Sequence, residues 1–155
     1  MIHSRRTALK QLAALGGAAV ASVAMPLQAF AAPIRATLYK NPQCDCCEGY
    51  AAYLRQNGFE VEVKPTNDLA EISRKAGVPE ELQGCHTTFI NGYVVDGHVP
   101  VKVVRRLLSE RPAIAGITLP GMPTGSPGMT GHKTGPFKIY AVSKDGTPPK
   151  IYEIV

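Results

Sequence analysis

Three of the four cysteines of this 155-residue chain stand within four positions, Cys44 to Cys47. The fourth, Cys85, is followed directly by His86. Cys44 and Cys47 have the C-x-x-C spacing of a redox pair, but Cys46 is a third sulfur that a simple dithiol exchanger does not need. The fold must therefore accommodate three thiols in one turn, and the surplus thiol indicates metal binding.

Two structural disulfides would explain this arrangement poorly. Four cysteines in an oxidising compartment usually form two bridges. Here three of them crowd one turn, and a bridge between the adjacent Cys46 and Cys47 could close only a small strained ring. The clustering favours metal or redox chemistry over a purely structural role.

Residues 1–31 have the pattern of an export signal. Three basic residues in the first ten positions precede an apolar stretch from Leu12 to Ala24, and Ala29–Ala31 is a small-x-small cleavage site. Residues 4–10 resemble the twin-arginine export motif, although Ala8 stands where an aromatic is more usual, so ordinary unfolded export remains an alternative. We predict a periplasmic protein, exported by the twin-arginine route.

The same segment argues against a membrane anchor and changes the charge balance. Its apolar stretch is rich in Gly and Ala and falls short of the roughly 20 strongly apolar residues that a span needs. Of the 17 basic residues, 14 remain after cleavage against 12 acidic ones, so the mature charge is +2 rather than +5. We therefore expect no membrane attachment after signal cleavage and no nucleic-acid partner.

Hydrophobic periodicity predicts alternating strands and helices in the mature chain. Strands are predicted over residues 35–39, 59–64, 87–90 and 93–95, and helices over 47–56, 68–77 and 100–111. Asn91-Gly92 is a strong hairpin signal between the last two strands, and Asp68 with Glu71 has the spacing of a capping box. The order β-α-β-α-β-β-α is that of the α/β thioredoxin fold, which we assign to residues 32–111.

Residues 112–155 are predicted to add to the same domain. The stretch 112–136 is too rich in Gly and Pro for regular structure. Phe137–Val142 and Lys150–Val155 then suggest a closing hairpin across Asp145-Gly146. Met122 and Met129, in the Gly/Pro-rich stretch, are interpreted either as apolar anchors of that loop or as thioether ligands of a bound metal or a lid over it.

The cysteines lie where the thioredoxin fold places its C-x-x-C motif, between the first strand and the first helix. Free backbone N–H groups and the helix dipole stabilise thiolate there. Glutaredoxin-like members have a cis-proline facing that motif just before the third strand, whereas this chain has no proline near Cys85-His86. We expect a sulfur and an imidazole to occupy that place. The predicted metal ligands are Cys44, Cys46, Cys47, Cys85 and His86.

These ligands favour copper. Thiolates select soft Cu(I), while imidazole serves either oxidation state, so the set could hold copper as its charge changes. Zinc is the alternative, because three cysteines and one histidine, or four cysteines, satisfy a tetrahedral site. Zinc sites usually pair their cysteines rather than place a third between them, which disfavours zinc somewhat.

The chain is similar to the periplasmic copper-resistance family called CopG, whose members have a Cys-x-Cys-Cys motif on a thioredoxin-like scaffold. The similarity runs from about Ala36 to the end and includes Gly97–Pro100, Gly121–Pro123 and Gly128-Met129. The resemblance implies copper bound through clustered thiolates, with several ions bridged by shared sulfurs and interconversion of Cu(I) and Cu(II). It also implies a metal role for His98. The alternative is that His98 is a solvated histidine in a loop.

Three function classes remain open. The first is an exported copper protein that sequesters the ion or, as a copper oxidoreductase, changes its oxidation state with an unidentified redox partner. The second is a thiol-disulfide oxidoreductase with Cys44 as the attacking thiol and Cys47 as the resolving thiol. The third is a copper carrier that transfers the ion to a partner without turnover.

Overall fold

A mixed β-sheet with three helices makes up the described part of the chain. The computed structural model describes residues 32–155, so the predicted export signal lies outside the described residues. The strands are β1 (Ile34–Lys40), β2 (Phe59–Pro65), β3 (His86–Ile90), β4 (Tyr93–Asp96), β5 (Gly116–Thr118), β6 (Lys138–Val142) and β7 (Lys150–Ile154). The helices are α1 (Asp45–Gln56), α2 (Leu69–Lys75) and α3 (Val101–Glu110).

The sheet has the strand order β2-β1-β3-β4-β5-β6-β7. Strand β1 is parallel to β2 and antiparallel to β3, and β3 is antiparallel to β4. With the three helices, these four strands have the predicted β-α-β-α-β-β-α order and confirm the α/β, thioredoxin-like fold class. Within residues 32–155, no helix is long and apolar enough to cross a membrane.

Helix α1 begins at Asp45, two residues earlier than predicted, with Cys44 as its N-cap residue. Its buried residues recur on one face, because Cys47, Tyr50, Ala51 and Leu54 are spaced at helical intervals. Beyond the helix, Gly58 adopts a positive φ of 84°. The earlier start places all three clustered cysteines at the helix N-terminus.

The predicted capping box at α2 is wrong. Asp68 is the N-cap residue but makes no side-chain cap hydrogen bond. Its backbone N–H instead donates to Thr66 Oγ1 at 3.0 Å, so the turn before the helix is closed by the threonine. On the buried side of the helix, Leu69 and Ser73 are buried while Ile72 is only half-buried.

Residues 112–136 contain a strand that was not predicted. Strand β5 pairs parallel to β4 and antiparallel to β6, and Ile117 at its centre is fully buried. Gly116 permits this pairing, because a Cβ at that position would lie 1.8 Å from the Val94 carbonyl oxygen. The glycine that argued against regular structure is thus the residue that lets β5 approach β4.

The predicted closing hairpin is present as β6 and β7, which pair antiparallel with a register shift at Ile139/Tyr140. It extends the sheet beyond the thioredoxin-like strands. The main core lies between the sheet and helices α1 and α3, and its fully buried members include Leu38, Leu54, Ile90, Val104, Leu107, Ile117 and Ile139.

Candidate metal centre

The three clustered cysteines lie at the N-terminus of α1, directly after the turn that follows β1. Cys44 is the N-cap residue, and its N–H donates to the Asn41 carbonyl at 3.1 Å. Cys46 and Cys47 belong to the first helical turn. The unpaired N–H groups and the positive end of the helix dipole therefore lie beside these sulfurs, where they favour thiolate.

Cys44 and Cys47 are joined by a disulfide, with their Cα atoms 5.5 Å apart. Cys46 and Cys85 are free. The residues at C-x-x-C spacing can therefore form the pair that a dithiol exchanger requires. All four sulfurs become available as thiolates only after this bridge takes up two electrons.

Cys85 brings the second segment to the first. Its sulfur lies 3.6 Å from the sulfurs of both Cys46 and Cys47, and the Cys44 and Cys46 sulfurs are 3.4 Å apart. All four Sγ atoms lie within 4.8 Å of one another. The residue that replaces the cis-proline position of related folds thus completes a four-sulfur group, with Cys46 and Cys85 half-buried.

A second group shares Cys85 and adds two buried imidazoles. Cys85 Sγ lies 3.4 Å from His86 Nδ1 and 3.1 Å from His98 Nε2. His98 Nδ1 donates to the Pro127 carbonyl at 2.7 Å. Because a carbonyl can only accept, Nδ1 has the proton and Nε2 directs its lone pair toward the sulfur. His98 is therefore set up as a nitrogen donor, and Cys85 belongs to both groups.

His86 is fully buried, and its Nε2 atom has no hydrogen-bond partner among the described residues. An unpaired polar nitrogen in a protein interior is costly. His98 is also fully buried, so both rings lie away from water. An orphaned buried nitrogen beside a sulfur cluster fits a site that accepts a cation.

Tyr50 supports both imidazoles from the helix side. Its ring centroid lies 4.5 Å from that of His86 and 5.4 Å from that of His98. The hydroxyl donates to the Val99 carbonyl at 2.8 Å, and burial raises the pKa of Tyr50 far above its usual value. Nothing in the sequence indicated that Tyr50 would contact the two histidines.

Burial sets the protonation of the site. It raises the pKa of the Cys85 thiol to about 12, with the hydrogen bond and charge of Cys46 acting in the same direction. Burial lowers the pKa of His86 to about 3, assisted by His98, and it also lowers the pKa of His98. Both imidazoles are thus neutral at physiological pH and can act as metal ligands, whereas the Cys85 thiol needs a bound cation to lose its proton.

A buried lysine contacts the residues before and after the clustered cysteines. Lys40, at the end of β1, is 3% exposed. Its Nζ donates to the Pro42 carbonyl at 3.3 Å and forms an ion pair with Glu48 at 3.0 Å. Glu48 directly follows Cys47 on α1, so one side chain fixes the turn before the cysteines to the helix after them. Nothing in the sequence indicated that Lys40 would be buried and paired with Glu48.

A hydrogen-bonded network stabilises the start of β3, where Cys85 and His86 lie. Thr87 Oγ1 donates to Asp96 Oδ2 at 2.7 Å and lies 2.6 Å from Ser73 Oγ. The Gly84 N–H donates to the other carboxylate oxygen of Asp96. Burial raises the pKa of Asp96 to about 6. The network links α2, β3 and β4 next to Cys85 and His86.

The structure brings together most of the residues considered for metal binding. The five predicted ligands and His98 converge, and Met122 Sδ lies 4.0 Å from Cys46 Sγ. Among the described residues, His132 is in neither group of clustered His, Cys, Asp and Glu donors, and Met129 lacks the sulfur contact with a cysteine that Met122 makes. The sequence signal for the position of His98 is the glycine before it, because glycine at the end of a strand marks a tight turn. In the structure Gly97 has a positive φ of 70°, and its N–H donates to the His86 carbonyl at 3.0 Å.

Comparisons with known proteins agree with this arrangement. The family model described as "Protein of unknown function, DUF411" matches residues 82–129, which include Cys85, His86 and His98. The solved structures titled "Copper resistance protein copG", forms 1 and 2, are 31% identical to the chain. Each similarity has a TM-score of 0.73 and covers 79% of this chain and 98% of the other. No curated protein sequence matches the chain.

Proposed function

The chain belongs to the CopG copper resistance family, and from this premise we propose that it is an exported protein of copper resistance. It binds copper through clustered thiolates and imidazoles. In this proposal the ligands are the four cysteines, His86 and His98, with Met122 at the edge of the site. Export through the segment 1–31 delivers the protein to the periplasm.

The convergence of two donor groups on Cys85 is the observation that carries the proposal. Four sulfurs and two neutral imidazoles come from the helix N-terminus, the start of β3 and the turn before α3. This is more than the four ligands that a structural zinc site needs. Soft sulfur beside imidazole suits copper in either oxidation state, and a sulfur shared by both groups suits adjacent ions.

The same donors support interconversion of Cu(I) and Cu(II). Oxidation of one Cu(I) ion releases one electron, which must pass to an external partner, and reduction requires the reverse. Thiolates favour the Cu(I) side of this equilibrium, while His86 and His98 tolerate Cu(II). A carrier that transfers copper without changing its charge would use the same ligands, and partner-dependent redox turnover is what separates the two roles.

The Cys44–Cys47 disulfide favours thiol-disulfide exchange as a second candidate function. Cys44 is half-buried and Cys47 is fully buried, as expected of an attacking and a resolving thiol. Cys46 and Cys85 weigh against this function because each lies within 3.6 Å of the pair, where it could attack the mixed disulfide. We therefore rank copper binding first.

The first test is the copper and zinc content of mature protein from copper-supplemented periplasm, with free thiols counted on the same sample. Bound copper with protected thiols supports the proposal. Metal-free protein with two free thiols and an oxidised Cys44–Cys47 pair makes disulfide exchange the leading function. Zinc at one equivalent in place of copper contradicts the choice of metal.

A matched pair of variants separates the two functions. Cys46→Ser removes a sulfur that an exchanger does not need, so exchange activity should persist while copper is lost. Cys44→Ser removes the attacking thiol and should abolish exchange. Both are measured for insulin reduction and copper stoichiometry, with circular dichroism to verify folding. Full copper stoichiometry in Cys46→Ser would contradict the ligand set.

A further inference from the structure

We propose that the close contact between Gly49 and Gly128 is a clamp that fixes His98 as a copper ligand. These two glycines are then positioning residues of the metal centre. The inference rests on the proposed function, because it concerns how the segment 112–136 holds one ligand of that site. It assigns this segment a role in metal binding beyond the placement of Met122.

The contact leaves no room for a side chain on either partner. Gly49 lies on α1 between Cys47 and Tyr50, and a Cβ there would lie 2.6 Å from the Gly128 carbonyl oxygen. A Cβ on Gly128 would lie 2.4 Å from the Tyr50 nitrogen, and Gly128 has a positive φ of 80°. Main chain therefore packs directly on main chain at the first turns of the helix that presents the cysteines.

The residue before Gly128 makes the contact relevant to the metal centre. The Pro127 carbonyl accepts the His98 Nδ1 proton at 2.7 Å. The local turn is closed by hydrogen bonds from Ser126 N–H to the Pro123 carbonyl at 3.0 Å and from Met129 N–H to the Ser126 carbonyl at 2.9 Å. Pro127 thus lies in a closed turn. Because Gly128 packs against α1, its position determines where the Pro127 carbonyl lies.

His98 depends on this carbonyl for its orientation. The polar contacts of its ring are Pro127 on one nitrogen and Cys85 on the other, among the described residues. With Nδ1 protonated, Nε2 is free to bind a metal beside Cys85. Without the Pro127 carbonyl, the proton can move to Nε2, and that tautomer has no lone pair to direct at the metal.

The first experiment measures the tautomer of His98 in metal-free wild-type protein, with the disulfide intact. Long-range ¹H–¹⁵N spectra of ¹⁵N-histidine-labelled protein should show the Nδ1–H tautomer, with that proton slow to exchange. An Nε2–H tautomer would overturn the proposal. This measurement needs neither copper nor a variant, so it tests the His98–Pro127 hydrogen bond, on which the clamp depends, independently of the proposed function.

The second experiment compares Gly49→Ala with Gly135→Ala. Gly135 is an exposed residue of the segment 112–136, which also contains Gly128, and it has nothing within 4 Å of a built Cβ, so it serves as the control. Gly49→Ala should give a mixture of His98 tautomers and weaken Cu(I) binding about tenfold or more, as loss of a hydrogen bond that orients a metal ligand typically does. Gly135→Ala should match wild type in both respects.

The outcomes are distinguishable. A wild-type protein that binds no copper refutes the proposed function, while the tautomer spectra still test the clamp. A Gly49→Ala protein that loses the Nδ1–H signal but keeps wild-type Cu(I) affinity overturns the clamp and leaves the function intact. If Gly49→Ala does not fold, Gly128→Ala tests the same contact from the segment 112–136, and an Nε2–H tautomer in the wild-type spectra would still overturn the proposal.

Discussion

His86 illustrates a residue whose environment suits a ligand better than a core side chain. Its ring is fully buried, one nitrogen lies 3.4 Å from Cys85 Sγ, and the other has no partner among the described residues. Stacking of the His86 ring on Tyr50 stabilises the folded protein by about 0.5–1.5 kcal/mol. An unpaired buried nitrogen costs about 1–3 kcal/mol. The interior of the metal-free protein therefore gains little from an imidazole at this position.

We expect His86→Leu to separate stability from copper binding. Leucine has a similar volume and brings no unpaired nitrogen, so the free energy of unfolding of the metal-free protein should stay within about 1 kcal/mol of wild type. Copper stoichiometry or Cu(I) affinity should fall, because one nitrogen donor is lost. Urea denaturation and metal analysis measure the two effects. His132→Leu, at an exposed position, is the control and should retain copper.

At the scale of single elements, strand β3 contains two adjacent buried threonines that differ in whether the hydroxyl is hydrogen-bonded. Thr87 links Ser73 to Asp96 through its hydroxyl. Thr88 Oγ1 is buried without a hydrogen-bond partner among the described residues, and Thr88 pairs with Leu38 and Val95 in the sheet. The strand thus provides its own matched comparison of a satisfied and an unsatisfied hydroxyl.

Replacing each threonine by valine should change stability in opposite directions. Thr87→Val removes a donor from the buried Asp96 carboxylate and should lower the free energy of unfolding by about 1–3 kcal/mol. Thr88→Val removes a hydroxyl that has no partner and should raise it by up to about 1 kcal/mol. Urea denaturation of both variants tests this. Equal destabilisation by both variants would contradict the assignment of the network.

Strand β5 depends on the absence of a side chain at Gly116. A Cβ there would lie 1.8 Å from the Val94 carbonyl oxygen, which belongs to the backbone of β4 and cannot move without disturbing the sheet. We expect Gly116→Ala to lower the free energy of unfolding by at least about 2–3 kcal/mol. The matched control is Gly135→Ala, which should be close to wild type. Similar urea midpoints for the two variants would refute this view of β5.

Across the whole molecule, the sequence predicted those elements that are marked by signals within their own segments. The alternation of Phe59, Val61 and Val63, the Asn91-Gly92 turn and the positive-φ glycines that follow α1 and α2 mark elements without reference to distant residues. Strand β5 has no such signal: it has three residues, one of them glycine, and exists because β4 and β6 pair with it. A pattern confined to the segment itself cannot reveal that pairing.

The candidate site divides in the same way. The cysteine spacing and the fold together predicted that Cys85 and His86 would face the turn at Cys44–Cys47. Neither could reveal that Tyr50 stacks on His86 and meets His98 edge-on, or that the Pro127 carbonyl accepts a proton from His98, because those contacts depend on how separate segments pack. The burial of Lys40 was equally hidden, since its partner Glu48 is reached only when the turn folds back.

Copper should act on the stability of the whole molecule because its proposed ligands come from segments that are far apart in the chain. A ligand that binds only the native state stabilises it by about 4 kcal/mol when its free concentration is a thousand times its dissociation constant. We therefore expect Cu(I), added with a reductant that opens the Cys44–Cys47 disulfide, to raise the midpoint of thermal unfolding. A strong Cu(I) chelator should reverse the shift.

Two controls make this prediction specific to the cluster. Cys85→Ser removes the sulfur shared by both donor groups and should show a much smaller copper-induced shift, although its exchange pair is intact. The reductant alone should lower the midpoint of wild type, because it opens a bridge that restricts the unfolded chain. If copper binds at full stoichiometry but leaves the midpoint unchanged, the ion cannot be held between these segments. Copper would then lie on one local piece of chain, and the sulfurs of the Cys44–Cys47 turn would be the only ligands left to consider.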